Sequence, residues 1–162
     1  MVLHKLSLGE FDEIDYNLIA IHTSLEGYRL AYFLNHRLGI NLSKSANDIQ
    51  IKVKAGETHF SRFSYTVAEA DNCWNLIQNK SEVISFKSGE KQNLFFNVPM
   101  EMATKVFLLP EFKKVDFFLK IENNDEASSI SDTQLLIKTI ENISTVYIVD
   151  VNQIKSKNNL IF

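Results

Sequence analysis

The chain has 162 residues, 45% hydrophobic and 23% charged, which allows one domain with a sizeable core and is too apolar for a disordered chain. Its formal charge of -3 excludes a generic polyanion binder, whose footprint is a basic face, though not a local basic patch. The single cysteine, Cys73, cannot close an internal disulfide, and no CxxC pair exists for zinc or redox chemistry.

The opening Met1-Val2-Leu3-His4-Lys5 lacks the charged start and apolar run of a signal peptide. No apolar stretch approaches the roughly 18 residues of a membrane span, so a cytoplasmic setting and no membrane partner are expected. Leu3, Leu6 and Leu8 read as a short first strand. Glu10, Asp12, Glu13 and Asp15 then cluster around Phe11 and Ile14. The glycine and distal glutamate of a calcium loop are missing there, so the acids are expected to be solvated and to hold no metal.

Tyr16 to His22 reads as a strand, with Leu18 and Ala20 on one face and Ile19 and Ile21 on the other. Two apolar faces mark it as central. Thr23-Ser24-Leu25-Glu26 fits a capping box that opens a helix running to about Leu38, with Gly39 as its left-handed cap. Gly27, Leu30, Ala31, Leu34 and Leu38 share one face at helical spacing. Phe33 lies about 140° from that stripe at the 100° step of a helix, between Arg29 and Arg37. It is either an interface anchor or packed by another part of the same chain.

From Asp48 the period changes to two. Ile49, Ile51 and Val53 alternate with Gln50, Lys52 and Lys54, and Gly56 marks a hairpin into a strand from Phe60 to Val67. The apolar parity shifts between Phe60 and Phe63, which a bulge would explain. Asp71-Asn72 turns into Cys73 to Ile77, Asn79-Lys80 into Val83 to Phe86, and Ser88-Gly89 into Leu94 to Val98. Short strands joined by polar turns read as an antiparallel meander.

Pro99 ends the meander, and Thr104 to Leu109 and Val115 to Ile121 are further strands. After a polar linker from Glu122 to Ser129, Ser131-Asp132-Thr133-Gln134 is a second capping box, whose helix packs Leu136, Ile140 and Ile143 on one stripe. Thr145 to Val151, rich in β-branched residues, reads as another central strand. Residues 152–162 form a tail ending in Leu160-Ile161-Phe162, which either docks back or meets a partner. The whole of 1–162 is expected to be one two-layer α+β domain, mainly an antiparallel meander with two helices packed on one face.

Leu109-Pro110-Glu111, three residues, then Val115-Asp116-Phe117 resembles the motif of the bacterial IPExxxVDY family, with Leu109 for Ile and Phe117 for Tyr. Tyr16-Asn17-Leu18-Ile19-Ala20-Ile21-His22 and Leu25-Glu26-Gly27-Tyr28-Arg29-Leu30-Ala31 look like that family's opening. The resemblance brings no assigned chemistry and carries over no catalytic residues, and Phe117 removes the motif's phenol. In physical terms Val115, Phe117, Leu119 and Ile121 point to one side of a strand, and Asp116, Phe118 and Lys120 to the other. Pro110 presets a turn whose tip is Glu111 to Lys114. One reading is a structural hairpin with a solvated tip and Asp116 paired to a lysine. The other makes Glu111, Lys113, Lys114, Asp116 and Lys120 a recognition patch around Phe118. Acid/base chemistry by these carboxylates lacks an apolar pocket to raise one of them.

Dinucleotide, P-loop, zincin and serine-hydrolase motifs are absent, and His4, His22, His36 and His59 are scattered, so no metal or cofactor is expected. The leading expectation is a non-catalytic interaction module, a homodimer or the partner of another cytoplasmic protein. It would use Arg29, Phe33 and Arg37, the Phe118 face, or the apolar tail. The alternative is an enzyme of unrecognised type or a binder of a small anion, at His22, Thr23 and Ser24 where a strand meets a helix N-terminus. Single-stranded nucleic acid could meet Lys52, Lys54 and Arg62 with Phe60 and Phe63, but is not favoured without an RNP-type aromatic pattern.

Overall fold

The expectation that Tyr16 to His22 forms a central strand holds, because both of its faces are buried. The computed structural model of the chain describes residues 15–87, 100–122 and 127–162. The Leu3–Leu8 strand, the acids before Asp15, the Ser88-Gly89 turn, the strand from Leu94, Pro99 and residues 123–126 of the polar linker lie outside those residues. In chain order the elements are β1 (Tyr16–Thr23), α1 (Gly27–Leu38), β2 (Ser43–Lys44), β3 (Ile49–Val53), β4 (Gly56–Phe60) and β5 (Arg62–Val67). Then come β6 (Asn72–Gln78), β7 (Lys80–Lys87), β8 (Met100–Phe107), β9 (Phe117–Glu122), α2 (Ala127–Lys138) and β10 (Ile143–Val149).

These make a single α+β domain around a six-stranded antiparallel sheet of order β10-β1-β9-β6-β5-β2, with β3-β4 and β7-β8 as separate two-stranded hairpins. Strand alternation divides the core in two. Ile19, Ile21, Leu76, Phe117, Leu119 and Ile121 face α1 and α2 with Leu30, Leu34, Ile130 and Ile137. Leu18, Ala20, Ile77 and Phe118 face the other way, onto Ile49, Phe60, Leu108, Leu109, Val115, Ile154 and Leu160. Both helices therefore cover one face, as expected. The second face has a cover of its own, made of the β3-β4 hairpin, the segment before β9 and the tail, which the two-layer expectation left out.

α1 ends as expected: Gly39 has φ +65°, and its N–H reaches the Asn35 carbonyl at 3.0 Å. Its start differs. Glu26 is the N-cap and makes no side-chain capping bond, while Thr23 closes β1 and its hydroxyl bonds the Asn142 carbonyl (2.7 Å). Gly27 opens the helix because a Cβ there would stand 3.1 Å from the Phe63 ring and 3.4 Å from the Phe117 ring. That glycine sets how closely the helix approaches the sheet.

The parity shift between Phe60 and Phe63 is a change of sheet rather than a bulge. β4 and β5 break at Ser61, which lets Phe60 face the second core and Phe63 the first. The meander likewise reduces to local hairpins. β6 does not turn into β7 but pairs with β9, and β8 pairs with β7 rather than with β9. Among the described residues β10 is an edge strand, bonded to β1 alone, not a central one. α2 already runs at Ala127, so Ser131 lies inside it and caps nothing. Its buried stripe is Ile130, Thr133 and Ile137, continuing to Ile140, whereas Leu136 is exposed. Thr133 tolerates the core because its hydroxyl bonds the Ser129 carbonyl at 2.7 Å.

Candidate functional site

The segment between β8 and β9 is a crossover, not a hairpin, and both of its carboxylates and several of its backbone groups are engaged within the chain. Pro110–Phe112 is one 3-10 turn with Pro at its start. Asn79, fully buried where β6 passes into β7, accepts from the Leu109 N–H (2.9 Å) and donates to the carbonyls of Phe112 (2.8 Å) and Val115 (2.9 Å). Asp116 accepts from the Thr23 N–H (2.9 Å) and pairs with Lys80 (2.6 Å), the lysine partner expected of it. Glu111 accepts from the N–H groups of Lys155 (2.8 Å) and Ser156 (2.9 Å) and from the Ser156 hydroxyl (3.0 Å). Partial burial pushes its carboxyl up, but those donors outweigh it and hold the group below its ordinary range.

The recognition patch expected around Phe118 is thereby corrected. Phe118 is fully buried, with Phe112 edge-on to its ring, and Lys120 is buried under the tail. The far side of β9 was expected to be open because its residues are mixed; it is closed because the tail and the β3-β4 hairpin lie over it. Of the set, only Glu111, Lys113 and Lys114 are exposed. Phe33 is half-buried against the helix-side core, so packing by its own chain describes it, while Arg29 and Arg37 are exposed. The exposed aromatics of α1 are Tyr28 and Tyr32.

His22, Thr23 and Ser24 form no anion cradle. The Thr23 N–H is taken by the Asp116 carboxylate, and Glu26 stands at the start of α1. A hydrogen bond from Tyr28 to Glu26 pushes that phenol up. The His22 carbonyl accepts from Ser144, and its ring lies 5.8 Å from that of Tyr147. The nucleic-acid set is also dispersed: Phe60 is fully buried and Phe63 faces the helices, away from Lys52 and Lys54 on the separate hairpin.

Among the described residues two further surfaces bear on function. The first surrounds β10, whose seven residues Ile143–Val149 carry no charge, proline or glycine. Ile148 on it and Leu135 and Leu136 on α2 are exposed, and Gln134 of α2 donates to the Val146 carbonyl (3.0 Å). Tyr147 joins Pro110, Lys113, Lys114 and Val115 around a hollow of about 490 Å³. The opposite edge is protected in the usual way, since β2 is two residues long and its Lys44 is paired with Asp48.

The second surface is a polar row beneath the tail. Lys120 of β9, Asn75 of β6 and Ser64 of β5 stand opposite one another in register, so they share a face. The Lys120 ammonium bonds the Glu122 carboxylate and the Leu160 carbonyl (2.8 Å), and stands 5.0 Å from the Tyr16 ring and 4.7 Å from the Phe162 ring. The Arg62 guanidinium lies 4.8 Å from the same Phe162 ring, and its buried Nε has no partner among the described residues. Two clefts flank Ile161 and Phe162. One, of about 590 Å³, is lined by Lys44 to Gln50 and His59; the other, of about 270 Å³, by Asp15, Tyr16, Lys120 and Glu122.

The tail docks back, one of the two outcomes expected of Leu160-Ile161-Phe162, but Arg62 was expected at a nucleic-acid surface and not beneath it. The signal was there in Asn75 and Lys120, polar residues of equal parity inside strands that are otherwise apolar. Among the described residues no group of three or more His, Cys, Asp or Glu side chains could hold a metal, and no helix is long and apolar enough to cross a membrane. No family model matches the chain, and no curated protein or solved structure does either.

Proposed function

We propose that the chain is a non-catalytic protein–protein interaction module that self-associates through β10. The observation that carries this reading is a long, uncharged edge strand with Ile148 exposed on it and Leu135 and Leu136 exposed on α2. Folded proteins usually blunt such an edge with charge, proline or brevity, as β2 does here. Antiparallel pairing of two copies about Val146 sets Ser144 against Ile148 and Thr145 against Tyr147, with no like charges opposed. The bond from Gln134 to the Val146 carbonyl is then exchanged for a backbone one. Residues Lys113 and Lys114 border the same edge through the hollow at Tyr147 and add a basic rim.

The reading places the chain in the cytoplasm, supported by its free thiol at Cys73. It also places it with the bacterial IPExxxVDY proteins. What supports that is the fit of the motif to its surroundings: Leu109 and Val115 buried, Pro110 opening a turn, Glu111 and Asp116 accepting backbone N–H groups. Multi-angle light scattering on the full chain tests self-association. A dimer is expected, and Ile148→Lys is expected to give a folded monomer. A wild-type chain that stays monomeric as concentration rises overturns the proposal.

A further inference from the structure

The second face of the sheet carries a feature that self-association at β10 does not use. We propose that Phe162 fills, from its own chain, a slot built for a small aromatic carboxylate. Two cations reach the ring in that slot, the Arg62 guanidinium of β5 at 4.8 Å and the Lys120 ammonium of β9 at 4.7 Å from the ring centre. A ring so approached is held by its π-face, so any planar aromatic of similar size fits there.

The charges indicate what the ring should carry. Lys44 is paired with Asp48, Lys80 with Asp116 and Lys120 with Glu122, whereas Arg62 has no carboxylate partner among the described residues. Among the described residues its buried Nε is unpartnered, and its Nη1 donates only to the side-chain oxygen of Asn75, at 3.5 Å. A guanidinium with a free Nε–H is suited to take a carboxylate side-on, through Nε and the Nη on the same edge. The carboxylate belongs on the side of the larger cleft, where Asp48 is balanced by Lys44 with His59 nearby, whereas the smaller one sets two carboxylates, Asp15 and Glu122, against Lys120 alone. At about 590 Å³ the larger cleft is within the range of small-molecule sites.

Phe162 is held loosely enough to leave. Leu160 is buried, and its carbonyl is fixed by Lys120, but Ile161 is 77% and Phe162 45% exposed. The link beyond that anchor is one backbone bond, from the Ile161 N–H to the Asn158 carbonyl at 3.3 Å. Rotation after Leu160 removes the ring, joins the clefts on either side of it and uncovers Arg62. The ligand and Phe162 therefore compete for one place.

The test titrates phenylacetate into the full chain and its Phe162→Ala variant by NMR or calorimetry. Cyclohexylacetate serves as an anion without a π-face, and phenylacetamide as a ring without charge. Phenylacetate is expected to bind the variant about tenfold more tightly than the wild type, the scale of removing a competing cation–π contact. Both controls are expected to bind the variant more weakly than phenylacetate does. Adding Arg62→Lys, which keeps the charge but removes the Nε donor, should reverse the gain; Arg62→Met should abolish binding. Equal phenylacetate affinity in wild type and Phe162→Ala overturns the proposal. So does equal binding of cyclohexylacetate, or a gain that survives Arg62→Lys. Light scattering on the same samples reads self-association separately, so either idea can fail alone.

Discussion

The two faces of the sheet are covered by opposite means. On one, α1 and α2 satisfy their own backbone groups, and the sheet offers them only apolar side chains such as Ile19, Leu76 and Leu119. On the other, the cover includes irregular chain before β9 and after β10, whose backbone has few ladder partners. There Asn79, Glu111, Lys120 and Asn159 supply the missing donors and acceptors. Buried polar residues concentrated on one face thus mark how that face is covered before they mark any chemistry.

The comparison breaks first at Asn79. Asn79→Ala removes three hydrogen bonds and leaves the Leu109 N–H and the Phe112 and Val115 carbonyls without those partners. At about 1–3 kcal/mol for each buried unsatisfied group, less where water can enter, the expected cost is about 4 kcal/mol. Thermal unfolding should show a fall of roughly 8–16 °C for a chain of this size. Leu119→Ala probes the helix face, where the loss of a fully buried side chain should cost about 3 kcal/mol. Hydrogen exchange separates the two variants. Asn79→Ala should speed exchange chiefly between residues 108 and 116, whereas Leu119→Ala should weaken protection across the whole sheet. Equal, uniform effects would remove the distinction between the faces.

The helix face was largely legible in the sequence, because period and burial agree there. Leu30, Ala31 and Leu34 fall on one stripe, Ile19 and Ile21 on one parity, and Gly39 ends the helix as its type demands. The second face was not, for two reasons. Local pattern cannot say that β9 crosses back to lie between β1 and β6, since partners so distant in the chain leave no local trace. A polar residue also reads as solvated unless its partner is known, which is how Lys120 was assigned to a surface. Leu136 failed on the helix side for a related reason. Hydrophobicity favours it over Thr133, but Thr133 meets its own polar need inside the helix.

Glu111 offers the smallest and most specific break, because it ties the motif to the tail. Its folded carboxyl lies below the ordinary range, so ionisation favours the folded state. That contribution is fully present above the unfolded carboxyl's range and is lost as pH falls through the folded value. Glu111→Gln keeps one acceptor for the N–H groups of Lys155 and Ser156 but cannot ionise. At neutral pH the variant should lose about 1 kcal/mol or less, as expected for an exposed set of bonds that water can replace. As pH falls through the folded value, below the ordinary carboxyl range, the gap between wild type and variant should close, because both then present a neutral group. A gap independent of pH would mean that Glu111 acts by shape alone and that its charge does not hold the tail.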